Sequence, residues 1–142
     1  MAERSEPIEI LLVEDNPVDA RMVRAALHLA EIRHRLSAVE DGEAALQYLR
    51  REPPYQDAVR PEVVILDLRL PRVSGHTVLQ TIKSDPALQF IAVLVLTTSA
   101  MQDDIARSYD LQADQFVTKP VGINVLAGEL KIIEGLVRRI KE

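Results

Sequence analysis

The stretch "VVILDLRLP", Val63 to Pro71, decides the fold that this chain is expected to adopt. Its first four residues are all apolar, without alternation, which is the pattern of a strand covered on both faces. Asp67 follows directly, and an ionised carboxylate at the edge of an apolar run costs free energy unless something pairs with it. The stretch therefore predicts a buried parallel strand that ends in a carboxylate with either a structural partner or a chemical role.

Short apolar strands and amphipathic helices alternate on both sides of this stretch. The predicted strands are Ile8 to Val13, Leu36 to Val39, Val63 to Leu66, Ile91 to Leu96 and Gln115 to Thr118. The predicted helices begin at Pro17, Glu43, His76, Asp103 and Gly122, and the last four end near Arg50, Ser84, Leu111 and Lys141. Alternation of this kind predicts an α/β fold, a doubly wound five-stranded parallel sheet with helices on both faces.

Composition restricts the classes of protein that need to be considered. The 142 residues suit one domain, since the only candidate boundary, the proline-containing loop from Arg51 to Pro61, separates two parts that could not fold alone. A net charge of −5 with scattered basic residues argues against nucleic-acid binding, and no cysteine is present. The sequence has neither a membrane-spanning apolar run nor the apolar core of a signal peptide. We therefore expect a cytoplasmic location and no association with a membrane.

Polar residues stand where four of the predicted strands end. Glu14 and Asp15 follow the first strand, Asp67 the third, Thr97 the fourth and Lys119 the fifth. In open parallel sheets the ligand site lies off the carboxyl ends of the strands. The fold would therefore bring three carboxylates, a hydroxyl and a lysine to one edge of the sheet.

This set of residue types points to phosphoryl transfer. Three crowded carboxylates repel one another, and a hard cation such as Mg²⁺ relieves that repulsion with oxygen ligands. A carboxylate can attack phosphorus and form an aspartyl phosphate, which assigns the nucleophile to Asp67. Lys119 and the Thr97 hydroxyl would then contact the phosphoryl oxygens.

Four motifs give the chain a family resemblance. "LLVEDNP", "VILDLRLP", "VLTTS" and "TKP" resemble, in this order, the receiver domain of two-component response regulators. The resemblance covers about residues 8–141 and implies one receiver domain of flavodoxin-like (βα)5 topology over residues 1–142, without an output domain. It implies the following roles: phosphoacceptor, Asp67; metal ligands, Glu14, Asp15, Asp67 and the Arg69 backbone carbonyl; signalling hydroxyl, Thr97; phosphate-binding lysine, Lys119; switch aromatic, Phe116. It also suggests a cis peptide bond before Pro120.

A narrower resemblance concerns the partner. "DLRLPRVSG" and "LTTS" are most similar to the small receivers that partner bacterial phytochromes. This implies a sensor histidine kinase, of the bacteriophytochrome type, as phosphodonor. The chain would catalyse only its own phosphorylation and dephosphorylation, and would signal by a conformational switch to a partner or by phosphorelay.

Other functions remain open at this point. Phosphatases of the aspartyl-phosphate type also place a nucleophilic Asp at a strand end, but they carry a second Asp two residues later, where this chain has Arg69. A receiver could also act as a phosphate sink without a downstream target. The three dispersed histidines, His28, His34 and His76, have no metal-ligand spacing and are predicted to lie on the surface. Ser99 is predicted to be a loop hydroxyl.

The last predicted helix has more apolar surface than one sheet requires. One stripe, sufficient to cover the sheet, comprises Ile123, Leu126, Leu130, Ile133, Val137 and Ile140. Val125, Ile132 and Leu136 lie outside that stripe, and Gly128 and Gly135 lower helix propensity where close approach of another element would explain them. The pattern predicts a two-fold symmetric homodimer built on this helix and its neighbouring elements; a helix buried on its own sheet is the alternative.

Overall fold

The computed structural model describes residues 6–98 and 102–141 and contains one five-stranded parallel sheet. The strands are β1 (Ile8–Val13), β2 (His34–Val39), β3 (Val63–Leu66), β4 (Ala92–Thr97) and β5 (Gln115–Thr118). The helices are α1 (Pro17–Leu29), α2 (Gly42–Arg50), α3 (Gly75–Ser84), α4 (Gln102–Asp110) and α5 (Ile123–Lys141). The spatial order β2-β1-β3-β4-β5 places β3 at the centre, and the predicted doubly wound architecture is confirmed.

β2 is the strand whose extent was least well predicted. It begins at His34, two residues before the predicted start, and pairs with β1 from Ile8↔His34 to Val13↔Val39. As an edge strand β2 has only one neighbour, and most of its side chains are half-buried or exposed. Backbone pairing extends the strand there without requiring apolar side chains, so the apolar pattern underestimates its length.

The apolar run of β3 is explained by two separate cores, one on each face of the sheet. Val63 and Ile65 belong to the core covered by α1 and α5, whereas Val64 and Leu66 belong to the core covered by α2 and α3. All four side chains are buried. Because both faces of β3 are covered, every position must be apolar until the strand ends, and the first polar side chain after it is Asp67.

Two glycines hold the loop between β3 and α3, residues 68–74, in close contact with its surroundings. A Cβ at Gly75 would lie 2.4 Å from both the Asp67 carbonyl oxygen and the Leu68 Cα. A Cβ at Gly42, the first residue of α2, would lie 2.0 Å from the Val73 carbonyl oxygen. Only glycine fits these two contacts, which fix the loop on both sides immediately after Asp67.

Capping explains why α1 follows the acidic pair so closely. The Asn16 side chain accepts hydrogen bonds from the amides of Val18 (2.9 Å) and Asp19 (3.2 Å), and Pro17 occupies the first helical turn. The helix therefore begins directly after Asp15. As a result Asp19, in the first turn, lies close to the end of β1.

Several local expectations can be compared with the structure. The peptide bond between Lys119 and Pro120 is cis, as the resemblance suggested. The surface prediction was wrong for His76, which is buried in the first turn of α3, and its Nε2 has no hydrogen-bond partner. Ser99 lies outside the described residues. Among the described helices, none is long and apolar enough to cross a membrane.

Candidate functional site

The carboxyl ends of β1 and β3 form an acidic cluster. The two strands pair up to Val13↔Leu66, and the Asp67 amide donates to the Val13 carbonyl oxygen at 3.1 Å. This pairing brings Glu14 and Asp15 beside Asp67, and one carboxylate oxygen from each residue lies within 4.8 Å of the other two. The three predicted acidic residues are therefore close enough to share one small ligand.

The cluster is buried on one side and open on the other. Glu14 and Asp67 are 4% and 6% exposed, whereas Asp15 is exposed to solvent. A ligand can therefore reach the carboxylates past Asp15, and it would meet Glu14 at the closed end of the site.

Lys119 enters the same cluster from the end of β5. Its amide donates to the Thr97 carbonyl oxygen at 2.7 Å, which fixes the backbone beside the end of β4. Its Nζ donates to Glu14 Oε1 at 2.9 Å and to Asp67 Oδ2 at 3.2 Å. A third carboxylate, Asp19 Oδ2, accepts from the same Nζ at 2.7 Å. The lysine thus joins β1, β3, β5 and α1 through a single ammonium group.

Both carboxylate oxygens of Asp67 are held in place. Oδ1 accepts a hydrogen bond from the Arg69 amide at 2.9 Å, and Oδ2 accepts from Lys119. The Arg69 side chain is exposed. The described contact of Arg69 with the site is thus through its amide, and the metal-ligand role of its carbonyl stays a prediction.

The remaining predicted residues lie on the neighbouring strands. Thr97 is fully buried at the end of β4, where it pairs with Thr118 of β5. Phe116 of β5 is half-buried, and its ring centroid lies 6.4 Å from that of Tyr109 on α4. Thr97 therefore lies at the carboxyl ends of the strands, where the cluster is. Phe116 instead takes part in a contact between β5 and α4.

Asp19 is the site residue that the sequence reasoning missed. It is the only acidic residue of α1, and its place in the first turn was consistent with an ordinary stabilising interaction with the helix dipole. Its separation of four residues from Asp15, across a helix start, was the signal that could have assigned it to the cluster.

Burial changes the proton affinities within the site. Burial raises the pKa of Glu14 to about 7; the Lys119 hydrogen bond opposes this change and the charge of Asp67 adds to it. Burial alone would lower the pKa of Lys119, but hydrogen bonds to Asp19 and Glu14 outweigh it, so that the pKa is raised. Lys119 therefore keeps its positive charge at neutral pH, whereas Glu14 titrates near neutrality.

The raised pKa of Glu14 predicts that metal-free protein becomes more stable in mild acid. Between the ordinary value of 4.5 and about 7, the folded state binds a proton that the unfolded chain lacks. Stability falls with rising pH wherever the folded state binds more protons. We expect the free energy of unfolding to rise by on the order of 2 kcal/mol between about pH 8 and pH 5.5. Denaturant unfolding at both pH values measures this change.

Glu14→Gln is the control for this titration, because it cannot take up the proton. Its stability should change less than that of the wild type over the same pH interval. An equal change in the two proteins would show that Glu14 is not the group responsible.

The chemistry of the cluster suits a hard divalent cation. Glu14, Asp15, Asp19 and Asp67 together contribute four carboxylates, and Lys119 contributes one positive charge. Carboxylate oxygens are the ligands that such cations prefer, and the excess negative charge favours binding. The cluster is therefore a candidate site for a divalent metal ion.

Comparisons with known proteins agree on one family. The family model described as "Response regulator receiver domain" matches residues 10–131. The response regulator Rcp1 of Synechocystis sp. is 39% identical over 134 residues, which cover 94% of this chain and 89% of Rcp1. A solved Mn²⁺-bound form of Rcp1 has a TM-score of 0.79 at 39% identity, with coverage of 92% and 91%.

Two further solved structures are similar over nearly the full length. The phosphorylated cyanobacterial phytochrome response regulator RcpA is 42% identical, with a TM-score of 0.80 and coverage of 92% of this chain and 91% of its own. The bacteriophytochrome response regulator RtBRR is 31% identical, with a TM-score of 0.80 and coverage of 95% and 91%.

Proposed function

The chain belongs to the response regulator receiver domain family, the phosphoacceptors of two-component signalling, and from this premise we propose that Asp67 is its phosphorylated residue. The observation that carries the assignment is the position of the Asp67 carboxylate, at the end of the central strand and 3.2 Å from the Lys119 ammonium. A rigid strand end holds a nucleophile, and the adjacent cation can bind the transferred group.

Each residue around Asp67 has a different role in phosphoryl transfer. A carboxylate oxygen of Asp67 forms a bond to phosphorus as the bond between phosphorus and the donor breaks, and the donor leaves with that electron pair. The Lys119 ammonium and the Thr97 hydroxyl donate to phosphoryl oxygens. The Arg69 amide holds the carboxylate in a fixed orientation through Oδ1.

We assign the metal role to Mg²⁺, with Glu14, Asp15, Asp67 and the Arg69 backbone carbonyl as the protein ligands. Mg²⁺ would supply charge neutralisation for the phosphoryl oxygens and for the crowded carboxylates. The Mn²⁺-bound form of the relative Rcp1 supports a divalent ion of this kind.

The phosphodonor that we propose is a sensor histidine kinase of the bacteriophytochrome type. Support comes from RcpA and RtBRR, which are described as phytochrome and bacteriophytochrome response regulators. After transfer, contact of Thr97 with the phosphoryl group would alter the packing of Phe116 and Tyr109. The surface formed by α4, β5 and α5 would then differ between the two states and be available to a partner.

Labelling by a small phosphodonor tests this function directly. Incubation with acetyl phosphate and Mg²⁺ should add one phosphoryl group, seen by intact-protein mass spectrometry, and removal of Mg²⁺ with a chelator should prevent it. Peptide mapping after reduction of the acyl phosphate with borohydride should locate the group at Asp67. Labelling that is independent of Mg²⁺, or that maps to another residue, would contradict the assignment.

We also propose a two-fold symmetric homodimer built on α5. Val125 and Ile132 are 60% and 58% exposed on this helix. A Cβ at Gly128 or at Gly135 would meet nothing within 4 Å, so the fold of one chain does not require either glycine.

Three residues of α5 differ from the sequence expectation or lie beyond it. Leu136, which was predicted to lie outside the core-facing stripe, packs partly against the core. Ile123, which was predicted to cover the sheet, is 42% exposed, and the side chain of Ile140 lies outside the described part of α5.

Ile132→Glu is expected to disrupt this dimer, because it places a charge in an apolar interface. Light scattering at micromolar concentration should give twice the mass of one chain, 15.9 kDa, for the wild type and the mass of one chain for the variant. Val59→Glu, at an exposed apolar residue in the loop before β3, is the matched control and should remain dimeric. A wild-type mass of one chain, with and without beryllofluoride, would rule this dimer out.

A further inference from the structure

Arg72 lies in the loop between β3 and α3 with a backbone conformation that is unfavourable for arginine. Its φ of 72° falls in the left-handed region, which glycine adopts readily and which a Cβ disfavours. A residue other than glycine keeps such a conformation only where the surrounding structure determines it. The contacts of this part of the loop therefore have to offset the cost of the backbone conformation.

The Arg72 side chain connects the loop to the start of α2. Its Nη1 lies 3.5 Å from Glu43 Oε1, and its Nε lies 3.6 Å from Asp41 Oδ2. Asp41 is the N-cap of α2, and its other oxygen, Oδ1, accepts a hydrogen bond from the Ala44 amide at 2.7 Å. One carboxylate thus contacts the helix with one oxygen and the loop with the other.

The backbone of the next residue contacts the same helix end. The Val73 carbonyl oxygen would lie 2.0 Å from a Cβ on Gly42, so the loop and α2 touch without a side chain between them. At the base of the loop, the Gly75 amide donates to the Leu68 carbonyl oxygen at 3.1 Å. Residues 69–74 are therefore a closed segment that is held at its base and against α2.

This closed segment also contains the backbone that contacts the site. The Arg69 amide donates to Asp67 Oδ1 at 2.9 Å, and the Arg69 carbonyl is a proposed metal ligand. We infer that Arg72 is a positioning residue whose ion pairs hold the loop against α2 and thereby keep the Arg69 backbone in place for Asp67 and the metal ion. The inference rests on the proposed function, because it concerns the metal ion and the phosphoacceptor.

The sign of the change in metal affinity separates positioning from an effect of charge. Removing the Arg72 guanidinium takes away a cation and leaves Asp41 and Glu43 without it, and both changes would strengthen the binding of a cation. Loss of the held loop would weaken binding, because Mg²⁺ requires near-ideal placement of its ligands. In Arg72→Ala the Cβ remains, so the backbone conformation stays unfavourable and only the ion pairs are lost.

Calorimetric titration with Mg²⁺ tests the inference. Because the Arg72 side chain is 66% exposed and its ion pairs are screened, we expect Arg72→Ala to bind Mg²⁺ about threefold more weakly than the wild type. Arg72→Lys, which keeps a positive charge on a long side chain, should restore wild-type affinity. Arg50→Ala removes the same charge from the exposed last residue of α2 and should not change the affinity. An unchanged or tighter affinity of Arg72→Ala would overturn the inference.

Amide hydrogen exchange of the metal-free protein gives a second measurement. The Arg69 amide should exchange about threefold faster in Arg72→Ala, whereas the Asp67 amide, which donates to the Val13 carbonyl oxygen within the sheet, should be unaffected. Equal exchange rates of the Arg69 amide in the two proteins would overturn the inference while the proposed function stands. Failure of the wild type to bind Mg²⁺ would overturn the proposed function, and the Arg69 exchange rate would then decide alone whether Arg72 holds the loop.

Discussion

Replacing Asp67 with asparagine is expected to abolish phosphorylation. The amide that results is a very weak nucleophile, because its oxygen carries no full negative charge and its nitrogen has no available lone pair. The fold should tolerate the change. The amide oxygen can still accept from Arg69, Lys119 keeps its contacts with Glu14 and Asp19, and one of several crowded negative charges is removed. Labelling by acetyl phosphate should fall below detection, by roughly three orders of magnitude or more.

Intact-protein mass spectrometry of the Asp67→Asn variant measures this loss. Asp57→Asn serves as control for the change in net charge and should be labelled at the wild-type rate. An unfolding transition equal to or above that of the wild type should accompany the loss of labelling, which separates a chemical defect from misfolding. Labelling of Asp67→Asn at the wild-type rate would remove Asp67 from the role of phosphoacceptor.

The second large effect is expected from Gly75→Ala at the start of α3. The new methyl group would lie 2.4 Å from the Asp67 carbonyl oxygen and from the Leu68 Cα, both of which belong to the backbone. Neither can move without displacing the end of β3 or the helix. We expect a loss of unfolding free energy of about 2–3 kcal/mol, as for other overpacked sites, together with slower phosphorylation because the Asp67 backbone is displaced.

Gly122→Ala is the matched control for this substitution. A Cβ at Gly122 meets nothing within 4 Å, and the residue precedes the first turn of α5. Gly122 is the residue before α5 whose carbonyl accepts the first helical hydrogen bond, where alanine is less favourable than glycine, so the control should lower the unfolding free energy by less than about 1 kcal/mol. Denaturant unfolding and acetyl phosphate labelling of both variants give the two quantities. Equal stabilities for the two variants would show that the loop after Asp67 accommodates a methyl group.

The fold could be predicted because the strongest signals were local. Four consecutive apolar residues before Asp67 require a strand with both faces covered, and the structure has a core on each face. Polar residues at strand ends converge in any parallel sheet, which brings Glu14, Asp67 and Lys119 together although Lys119 is 105 residues from Glu14 and 52 from Asp67. Topology, rather than any single motif, carried the prediction of the site.

The parts that escaped prediction depend on tertiary contacts. The sequence around His76 has the polarity of a surface position, and only the packing of the first turn of α3 shows it to be buried. Asp19 resembled a residue placed for the helix dipole, and its contact with Lys119 requires two elements 100 residues apart to meet. The pKa of Glu14 depends on burial, which a sequence pattern does not quantify.

The position of β3 at the middle of the sheet has a consequence for the motions of the molecule. Its amides and carbonyls are bonded to β1 on one side and β4 on the other, whereas β5 has a sheet neighbour on one side only. Local opening events, which amide hydrogen exchange detects, begin at edges and reach central strands last. Asp67, the proposed phosphoacceptor, is therefore attached to the strand that we expect to exchange most slowly, whereas Lys119 and Phe116 belong to an edge strand that we expect to open more readily.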